Sequence, residues 1–366
     1  MTTSETVDKG NLSGALFLDL SKAFDTISHG SLLKKLPAYG IRTTELNWFQ
    51  DYLFNRQQFV SHDKAMSQPQ AVTCGVPQGS ILGPLLFLIF FNDFPECLEN
   101  CKTIMFADDT VIYTAAKSSK EVNDILNAEI NNVQRFMTDN ELIVNLKKGK
   151  TEGMLFSTAK KLSESHNLNL LYGETRINNA TSYKYLGILI DPELRLTDHF
   201  ENTIRKSTSR LKLLTLIRSN VTSLAAYQIF RAMVQSIIIY GSSTNLNLNR
   251  SNIDRLNSID RRARKIINKR QVDRHIIEPT LNVMKCQACC LVKKCMLGEA
   301  SVLLANHFEQ NNHGVNTRNQ NAFIRLPKIR LEVARRGFFF MGGRLYNMLP
   351  VELRTVNDFK TFKKTK

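Results

Sequence analysis

Two adjacent aspartates constrain the fold of this chain more than any other feature. Asp108 and Asp109 lie between two short runs, residues 103–106 and 110–113, that are rich in β-branched and aromatic side chains. Such runs predict two strands joined by a tight hairpin at the aspartates. Because adjacent carboxylates repel each other, a fold that places them together usually supplies a cation.

A third carboxylate occurs in a similar setting. Asp19 lies in the apolar run 15–20, which is typical of a buried strand that could deliver this side chain to the same point. Three carboxylates on neighbouring strands can hold two Mg²⁺ ions roughly 3.5–4 Å apart, the arrangement used for phosphoryl transfer. The alternative is a polar hairpin tip and an unrelated strand end.

Three motifs in one order resemble the palm motifs of reverse transcriptases, specifically those of LINE-type (non-LTR) retrotransposons of the Jockey-like sort. They are LDLSKAFDTISH at 18–29, GVPQGSILGPLLF at 75–87 and FADD at 106–109. The resemblance continues in NLKKGKTE at 145–152, a later palm segment, and in YKYLGI at 183–188, which matches the primer-grip hairpin. It extends more weakly into the C-terminal half.

The resemblance implies an α+β fold and a domain plan. Residues 1–191 would form a polymerase palm, an antiparallel sheet packed on helices, with partial fingers. A helical, basic thumb would follow at 192–275, and a small basic C-terminal region at 276–366. The implied function is RNA-directed DNA polymerase, with Asp19, Asp108 and Asp109 as catalytic ligands of two Mg²⁺ ions.

Four further residues receive nucleotide-binding roles from the resemblance. Gln78 and Gly79 would lie against the incoming deoxynucleoside triphosphate and the template base, and Phe24 would exclude a 2′-hydroxyl from beneath the sugar. Lys150 would approach the leaving pyrophosphate. The alternatives are that Gln78 and Gly79 form an ordinary turn, that Phe24 is a core residue and that Lys150 is a solvated lysine. His29 is expected to be a structural hydrogen-bonding residue. The implied partners are an RNA template and a DNA primer; the oligomeric state is open.

Only eighteen residues precede Asp19, whereas the family carries a fingers region and an endonuclease upstream. We therefore expect a truncated element with weak or absent activity by itself. A catalytically inactive, nucleic-acid-binding remnant is the main alternative. A nucleotide cyclase is a weaker one, because the Pro77-Gln78-Gly79 segment and the basic thumb argue against it.

Charge is unevenly distributed along the chain. The net charge is +16, but residues 1–200 sum to −4 and residues 201–366 to +20. A basic region beside an acidic metal site suits a polyanionic substrate, although a solvated charged surface would have the same composition. The N-terminus lacks a signal pattern and no run is long enough to span a membrane, so an intracellular protein is expected. A nuclear location follows from the resemblance alone.

Seven cysteines without a framework spacing favour a reduced setting. Four of them, Cys286, Cys289, Cys290 and Cys295, could bind zinc with His275, His307 or His313. Apolar residues at helical spacing in the same segment instead predict a buried helix face, which would make some of these thiols core residues.

Local patterns also predict individual helices. Ser28, Ser80 and Ser118 are candidate N-caps, for helices over 29–36, over 81–92 and from about residue 119. A helix after Thr43 or Thr44 is expected to bury Trp48, Phe49, Tyr52 and Leu53. Long amphipathic segments follow Asp191-Pro192.

Overall fold

The computed structural model describes residues 3–63, 65–244, 246, 248–268, 277–310 and 324–364. His275, His313 and the expected domain boundary at residue 275 lie outside these ranges. The chain divides into two compact units. The first contains Gly10–Gly187 and Asp191–Glu193, and the second contains Thr2–Lys9, Ile188–Ile190 and Leu194–Lys366. Labels run in chain order through both units, so helix α1, Thr3–Asp8, belongs to the second.

The first unit is a mixture of strands and helices. Its strands are β1 (Leu12–Leu18), β2 (Gln57–Gln58), β3 (Ser61–His62), β4 (Ala65–Met66), β5 (Gln70–Ala71), β6 (Lys102–Phe106), β7 (Asp109–Ala116), β8 (Glu152–Phe156), β9 (Leu171–Tyr172), β10 (Thr175–Arg176), β11 (Asn178–Asn179) and β12 (Tyr183–Tyr185). Its helices are α2 (His29–Lys35), α3 (Thr43–Leu53), α4 (Leu82–Phe91), α5 (Ser119–Asp139) and α6 (Ala159–Glu164).

A five-stranded sheet forms the centre of the first unit, with the order β11-β8-β1-β7-β6. All neighbours in it are antiparallel except β11 and β8. Every residue of the central strand β1 is buried, which explains why its sequence does not alternate between apolar and polar residues. Helix α5 packs on β1 and β7. The predicted antiparallel sheet packed on helices is therefore present.

The predicted N-caps Ser28 and Ser118 are confirmed, whereas α4 begins at Leu82, one residue later than expected, with Ile81 in the N-cap position. The hydroxyl oxygens of Ser28, Ser80 and Ser118 accept hydrogen bonds from backbone N–H groups three residues later, at 3.5, 2.9 and 3.2 Å. Each bond satisfies one of the donors that a helix leaves unpaired in its first turn. The caps fix where α2 and α5 begin, and the Ser80 hydroxyl satisfies a donor in the first turn of α4.

The prediction for α3 is right about the helix and wrong about one buried residue. Leu53 is fully buried, but Trp48 is 53% exposed. Its ring stacks on Tyr52 at 5.5 Å and meets Phe49 edge-on at 5.1 Å, so the indole lies in an aromatic group at the surface. The helical period alone could not show how far the core reaches around α3.

The second unit is almost entirely helical. Besides α1 it contains strand β13 (Ile188–Ile190) and the helices α7 (Thr197–Ile217), α8 (Ser223–Phe230), α9 (Ser236–Ile239), α10 (Arg250–Ile267), α11 (Thr280–Met296), α12 (Val302–Ala305), α13 (Glu332–Arg336), α14 (Phe338–Asn347), α15 (Val351–Arg354) and α16 (Phe359–Lys364). A π-helical segment, Arg231–Gln235, joins α8 to α9. None of the described helices is both long and apolar enough to cross a membrane.

Two hydrophobic clusters organise the second unit. The first is built mainly on α7 to α10, and the second joins α11 to the C-terminal helices. Cys289 and Cys295 belong to the second cluster, with Tyr346 and Phe362. Among the described residues no group of three Cys, His, Asp or Glu side chains could hold a metal ion. Cys289 and Cys295 are buried, as expected of core thiols, while His275 and His313 of the zinc interpretation lie outside the described ranges.

Candidate active site

The β6–β7 hairpin places the aspartate pair at its tip. Phe106 pairs with Asp109 across the two strands, leaving Ala107 and Asp108 as the turn. Ala107 has a φ of +53°, a left-handed conformation that costs a non-glycine residue roughly 1–2 kcal/mol. The fold thus accepts backbone strain at this turn.

Asp19 lies next to this hairpin because of the strand register. Leu18, the last residue of β1, pairs with Thr110 of β7, so the next positions in register are Asp19 and Asp109. Burial, followed by the charges of Asp108 and Asp19, raises the pKa of Asp109, while Lys150 opposes the shift. The three predicted carboxylates are therefore brought together at one end of the sheet.

A loop between α5 and β8 surrounds Asp19. The Asn145 side-chain amide donates to Asp19 Oδ2 at 3.0 Å, and its backbone N–H donates to the Asp19 carbonyl at 2.8 Å. On the other side, the Asp19 N–H donates to Thr151 Oγ1 at 3.2 Å. The loop holds both the backbone and the carboxylate of Asp19 in place.

Lys150 belongs to the same loop and meets the predicted site directly. Its ammonium lies 3.4 Å from Asp19 Oδ1, where it supplies the positive charge nearest to that carboxylate. The lysine is half exposed, at 50%, so water screens the ion pair and its contribution to stability is small. Sequence reasoning found Lys150 but not its contact with Asp19.

Two tyrosines of β12, in the segment that resembles a primer-grip hairpin, complete the surroundings, and no local pattern predicted their contacts. Tyr183 stacks on Phe17 at 4.0 Å and donates from its hydroxyl to the Lys150 carbonyl at 2.9 Å. Burial, then Asp19, Asp109 and Glu152, raises the pKa of Tyr183 to about 12. The buried Tyr185 hydroxyl has no hydrogen-bond partner among the described residues.

The donor set at this site fits a hard divalent cation. Three carboxylates offer only oxygen ligands, and burial, with repulsion from Asp108 and Asp19 as the smaller cause, raises the pKa of Asp109. However, no three of the described acidic, histidine or cysteine side chains are already arranged as a closed ligand set.

The loop that carries Gln78 and Gly79 is tied to the segment after Asp19. Gly75 has a φ of +84°, and a Cβ atom there would lie 2.7 Å from the Asp25 carbonyl oxygen, so only glycine fits. The Gln78 amide donates to Asp25 Oδ1 at 2.7 Å. Buried His29 lies 2.7 Å from the Gly75 carbonyl through Nε2, which agrees with its expected structural role.

Gln78 lines a cavity of about 700 Å³ whose described wall contains none of Asp19, Asp108 and Asp109. Gly79, with a φ of +79°, has open space where a Cβ would be. Phe24 is partly buried, and its ring packs 4.6 Å from that of Phe87 in the core. This contact is what the core interpretation of Phe24 requires.

An acidic hairpin set against the end of a buried central strand, in an antiparallel sheet backed by helices, is the palm of a nucleic acid polymerase. Residues 3–190 match the family described as reverse transcriptase (RNA-dependent DNA polymerase), and the chain belongs to that family.

The relatives are enzymes of mobile elements. The chain is 25% identical over 264 residues to the RNA-directed DNA polymerase from mobile element jockey of Drosophila funebris, covering 67% of this chain and 28% of that protein. It is 27% identical over 276 residues to the probable RNA-directed DNA polymerase from transposon BS of Drosophila melanogaster, covering 71% and 29%. The predicted resemblance to Jockey-like non-LTR elements is confirmed. The chain spans under a third of the length of these relatives.

Among solved structures, telomerase from Candida albicans in complex with a fragment of telomeric RNA matches 78% of this chain and 51% of its own. The identity is 11% and the TM-score 0.33, a value too low to support any conclusion.

Proposed function

We propose that this chain supplies the polymerase core of an RNA-directed DNA polymerase of a non-LTR retrotransposon. The observation that carries the proposal is the meeting of Asp19, Asp108 and Asp109 at one end of the sheet, in register and electrostatically coupled. The family assignment supports nucleic acid as the substrate.

In the proposed mechanism Asp19 and Asp108 would hold two Mg²⁺ ions and Asp109 would complete the site. Such ions would supply activation of the primer 3′-oxygen for attack on the α-phosphate and charge stabilisation of the leaving oxygen. Asn145 restrains the Asp19 carboxylate through its amide and so limits the orientations this side chain can take. Tyr183 holds the loop that carries Lys150 by its bond to the Lys150 carbonyl.

Lys150 has two positions in this proposal. Paired with Asp19 it neutralises the site before substrate binds. Released from Asp19, its ammonium would meet the pyrophosphate leaving group, because a flexible, half-exposed lysine can move between carboxylate and phosphate oxygens.

The remaining site residues are assigned to the nucleotide. Gln78, oriented by Asp25, and Gly79, which leaves room for close approach, would contact the incoming nucleotide and the template base. Phe24 would lie beneath the sugar and clash with a 2′-hydroxyl, favouring deoxynucleotides. Its position is held by the contact with Phe87.

The wider proposal concerns the second unit and the location. Residues 192–275 would act as a thumb on the RNA template and DNA primer, and residues 276–366 as a basic accessory region. The charge of +20 over residues 201–366 supports phosphate contacts there. The site of action would be the nucleus, where the target DNA is located.

Primer extension on an RNA template with Mg²⁺ tests the proposal. The wild type should incorporate deoxynucleotides, and Asp108→Asn should lower the rate by about 10³-fold or more, as loss of a catalytic group does. Asp124→Asn, an exposed aspartate on α5, is the matched control and should extend as the wild type does. Equal rates for all three proteins would refute the assignment.

A second candidate is a non-catalytic nucleic-acid-binding remnant of such an element. The observation in its favour is that no described set of three side chains already forms a metal site. Under this alternative the wild type binds an RNA–DNA hybrid but incorporates nothing, with Mg²⁺ or Mn²⁺.

A further inference from the structure

The second unit contains a cavity of about 760 Å³ that belongs to none of the palm motifs. Its wall is formed by the end of α8, the π-helical segment Arg231–Gln235, α9, α11 and α16. This volume falls within the range of roughly 300–1,000 Å³ that small-molecule and cofactor sites occupy.

Three cations line the cavity: Arg231, Lys294 and Lys363. No carboxylate is found in its described wall, and none of the three forms an ion pair with a described acidic residue. The positive charge is therefore uncompensated, which favours an anionic ligand.

Two acidic residues occur nearby in the sequence, but their carboxylates are engaged elsewhere. Asp358 accepts from the backbone N–H and the hydroxyl of Thr361, at 2.7 and 2.8 Å. Glu278 accepts from the Asn282 amide at 3.0 Å. Neither carboxylate lines the cavity.

The rest of the wall combines amides with an aromatic ring. Gln228, Gln235 and Gln287 contribute side chains that can both donate and accept hydrogen bonds. Gln235 is 5% exposed, and its Nε2 makes only long contacts, 3.5 Å to the Glu278 carbonyl and 3.4 Å to Thr280 Oγ1. The Lys294 ammonium nitrogen lies over the Phe359 ring, 4.9 Å from the ring centre.

The backbone beneath the cavity is itself unusual. A π-helix is rare and is frequently retained at functional sites, since its wider turn displaces side chains from their α-helical positions. Here the π-helical segment supplies Arg231, Ala232 and Gln235 to the wall.

We infer that this cavity binds one unstacked nucleotide of a single-stranded nucleic acid. The cations would hold its phosphates, the glutamine amides would meet the base edge, and Phe359 with the aliphatic wall would cover the base face. A duplex presents its bases stacked and paired, so it cannot place one in a cavity. An acidic peptide would satisfy the cations but leave the amides and the ring without matching groups.

The test is fluorescence anisotropy with a labelled 12-nucleotide single strand, as RNA and as DNA, and with a 12-base-pair duplex. The cavity variant Lys294→Gln/Lys363→Gln is compared with Lys285→Gln/Lys360→Gln. The control pair lies on the same two helices, is exposed and loses the same charge, but does not line the cavity. No deoxynucleotides are present, so failure here leaves the polymerase proposal intact.

The cavity variant should bind the single strand about tenfold more weakly, and its slope of log affinity against log salt should flatten by about 1.4, as expected for two lost phosphate contacts. The control pair should bind as the wild type does. Equal losses in both pairs, or a loss seen only with duplex, would overturn the inference. Comparing the RNA and DNA strands identifies the natural ligand class.

Two further measurements test the cavity itself. Ala232→Trp leaves the charge unchanged but fills the cavity from an exposed position, and it should weaken binding as much as the cation variant does. Bound single strand should also protect Cys290, which lines the cavity, from alkylation, while Cys286 on the same helix stays reactive. If Cys290 stays reactive at saturating oligonucleotide, the inference is contradicted. It is also contradicted if only a poly-glutamate peptide displaces the bound strand.

Discussion

At the scale of residues, the site is held by polar contacts between parts of the chain that are far apart in sequence. Asn145 lies 126 residues after Asp19 and yet bonds both its carboxylate and its carbonyl. Bonds to a ligating carboxylate orient it for the metal, and losing one typically lowers metal affinity or activity about 10–100-fold. Asn145 is thus a positioning residue for Asp19 in the proposed mechanism.

Replacing Asn145 by Leu should therefore raise the Mg²⁺ concentration needed for half-maximal primer extension by about 10–100-fold. A Mg²⁺ titration of the extension rate measures this. Asn92→Leu, which removes an exposed amide at the end of α4, should leave the titration unchanged. An unshifted midpoint in Asn145→Leu would mean that the amide does not orient the Asp19 carboxylate.

Two thiols of the first unit should be chemically inert. Burial, followed by the charge of Glu129, raises the pKa of Cys97 to about 11 and that of Cys101 to about 12. Since only the thiolate reacts, alkylation by iodoacetamide at pH 8 should be at least about 100-fold slower than for an unperturbed thiol, and should accelerate as pH rises. Peptide mass spectrometry against exposed Cys74 measures this.

Glu129→Gln is the informative variant, because it removes the charge but keeps an acceptor for the N–H groups of Glu99 and Asn100. It should lower the pKa of Cys101 and speed its alkylation. No change would show that burial alone protects the thiol.

At the scale of elements, the position of the site depends on how closely α5 lies against the sheet. A Cβ atom at Gly14 of β1 would overlap Val122 Cγ1 and lie 3.1 Å from Leu126 Cδ1, both on α5. Glycine at this position lets the helix approach the strand that ends at Asp19. The same helix begins at the predicted Ser118 cap.

Gly14→Ala should consequently destabilise the protein by about 1–3 kcal/mol, the usual cost of overpacking a core. Denaturant unfolding should show a lower midpoint, and Gly14→Ala/Val122→Ala should recover part of the loss. Gly30→Ala on α2, where a Cβ meets nothing within 4 Å, is the control and should be neutral or stabilising. Equal effects at Gly14 and Gly30 would contradict tight packing at the strand.

Local sequence patterns predicted a large part of this arrangement and missed the rest for an identifiable reason. The strands around Asp108 and Asp109, the buried strand before Asp19 and the serine caps each depend on neighbouring residues, so they could be recognised in advance. The contacts of Asn145 and Tyr183, and the exposure of Trp48, depend on segments brought together only by folding. The cavity of the second unit combines α8 with α16, which no local pattern connects.

At the scale of the whole molecule, charge separates along the chain. Residues 1–200 sum to −4 and contain the three carboxylates, whereas residues 201–366 sum to +20 and contain the cationic cavity. In the proposed function, phosphate contacts would therefore lie mainly in the second half, and the negative potential of the first half would attract divalent ions. Both properties suit a protein that acts on a polyanion with metal assistance.

The central claim is that Asp19, Asp108 and Asp109 together bind divalent ions, and counting bound Mn²⁺ by electron paramagnetic resonance tests it most directly. Mn²⁺ shares the oxygen-ligand preference of Mg²⁺ and should be displaced by it. The sample contains a primer–template whose primer is terminated at its 3′ end, together with the matching nucleotide. In it the wild type should hold two more Mn²⁺ ions than Asp19→Asn/Asp108→Asn. The same count in both proteins would contradict the account.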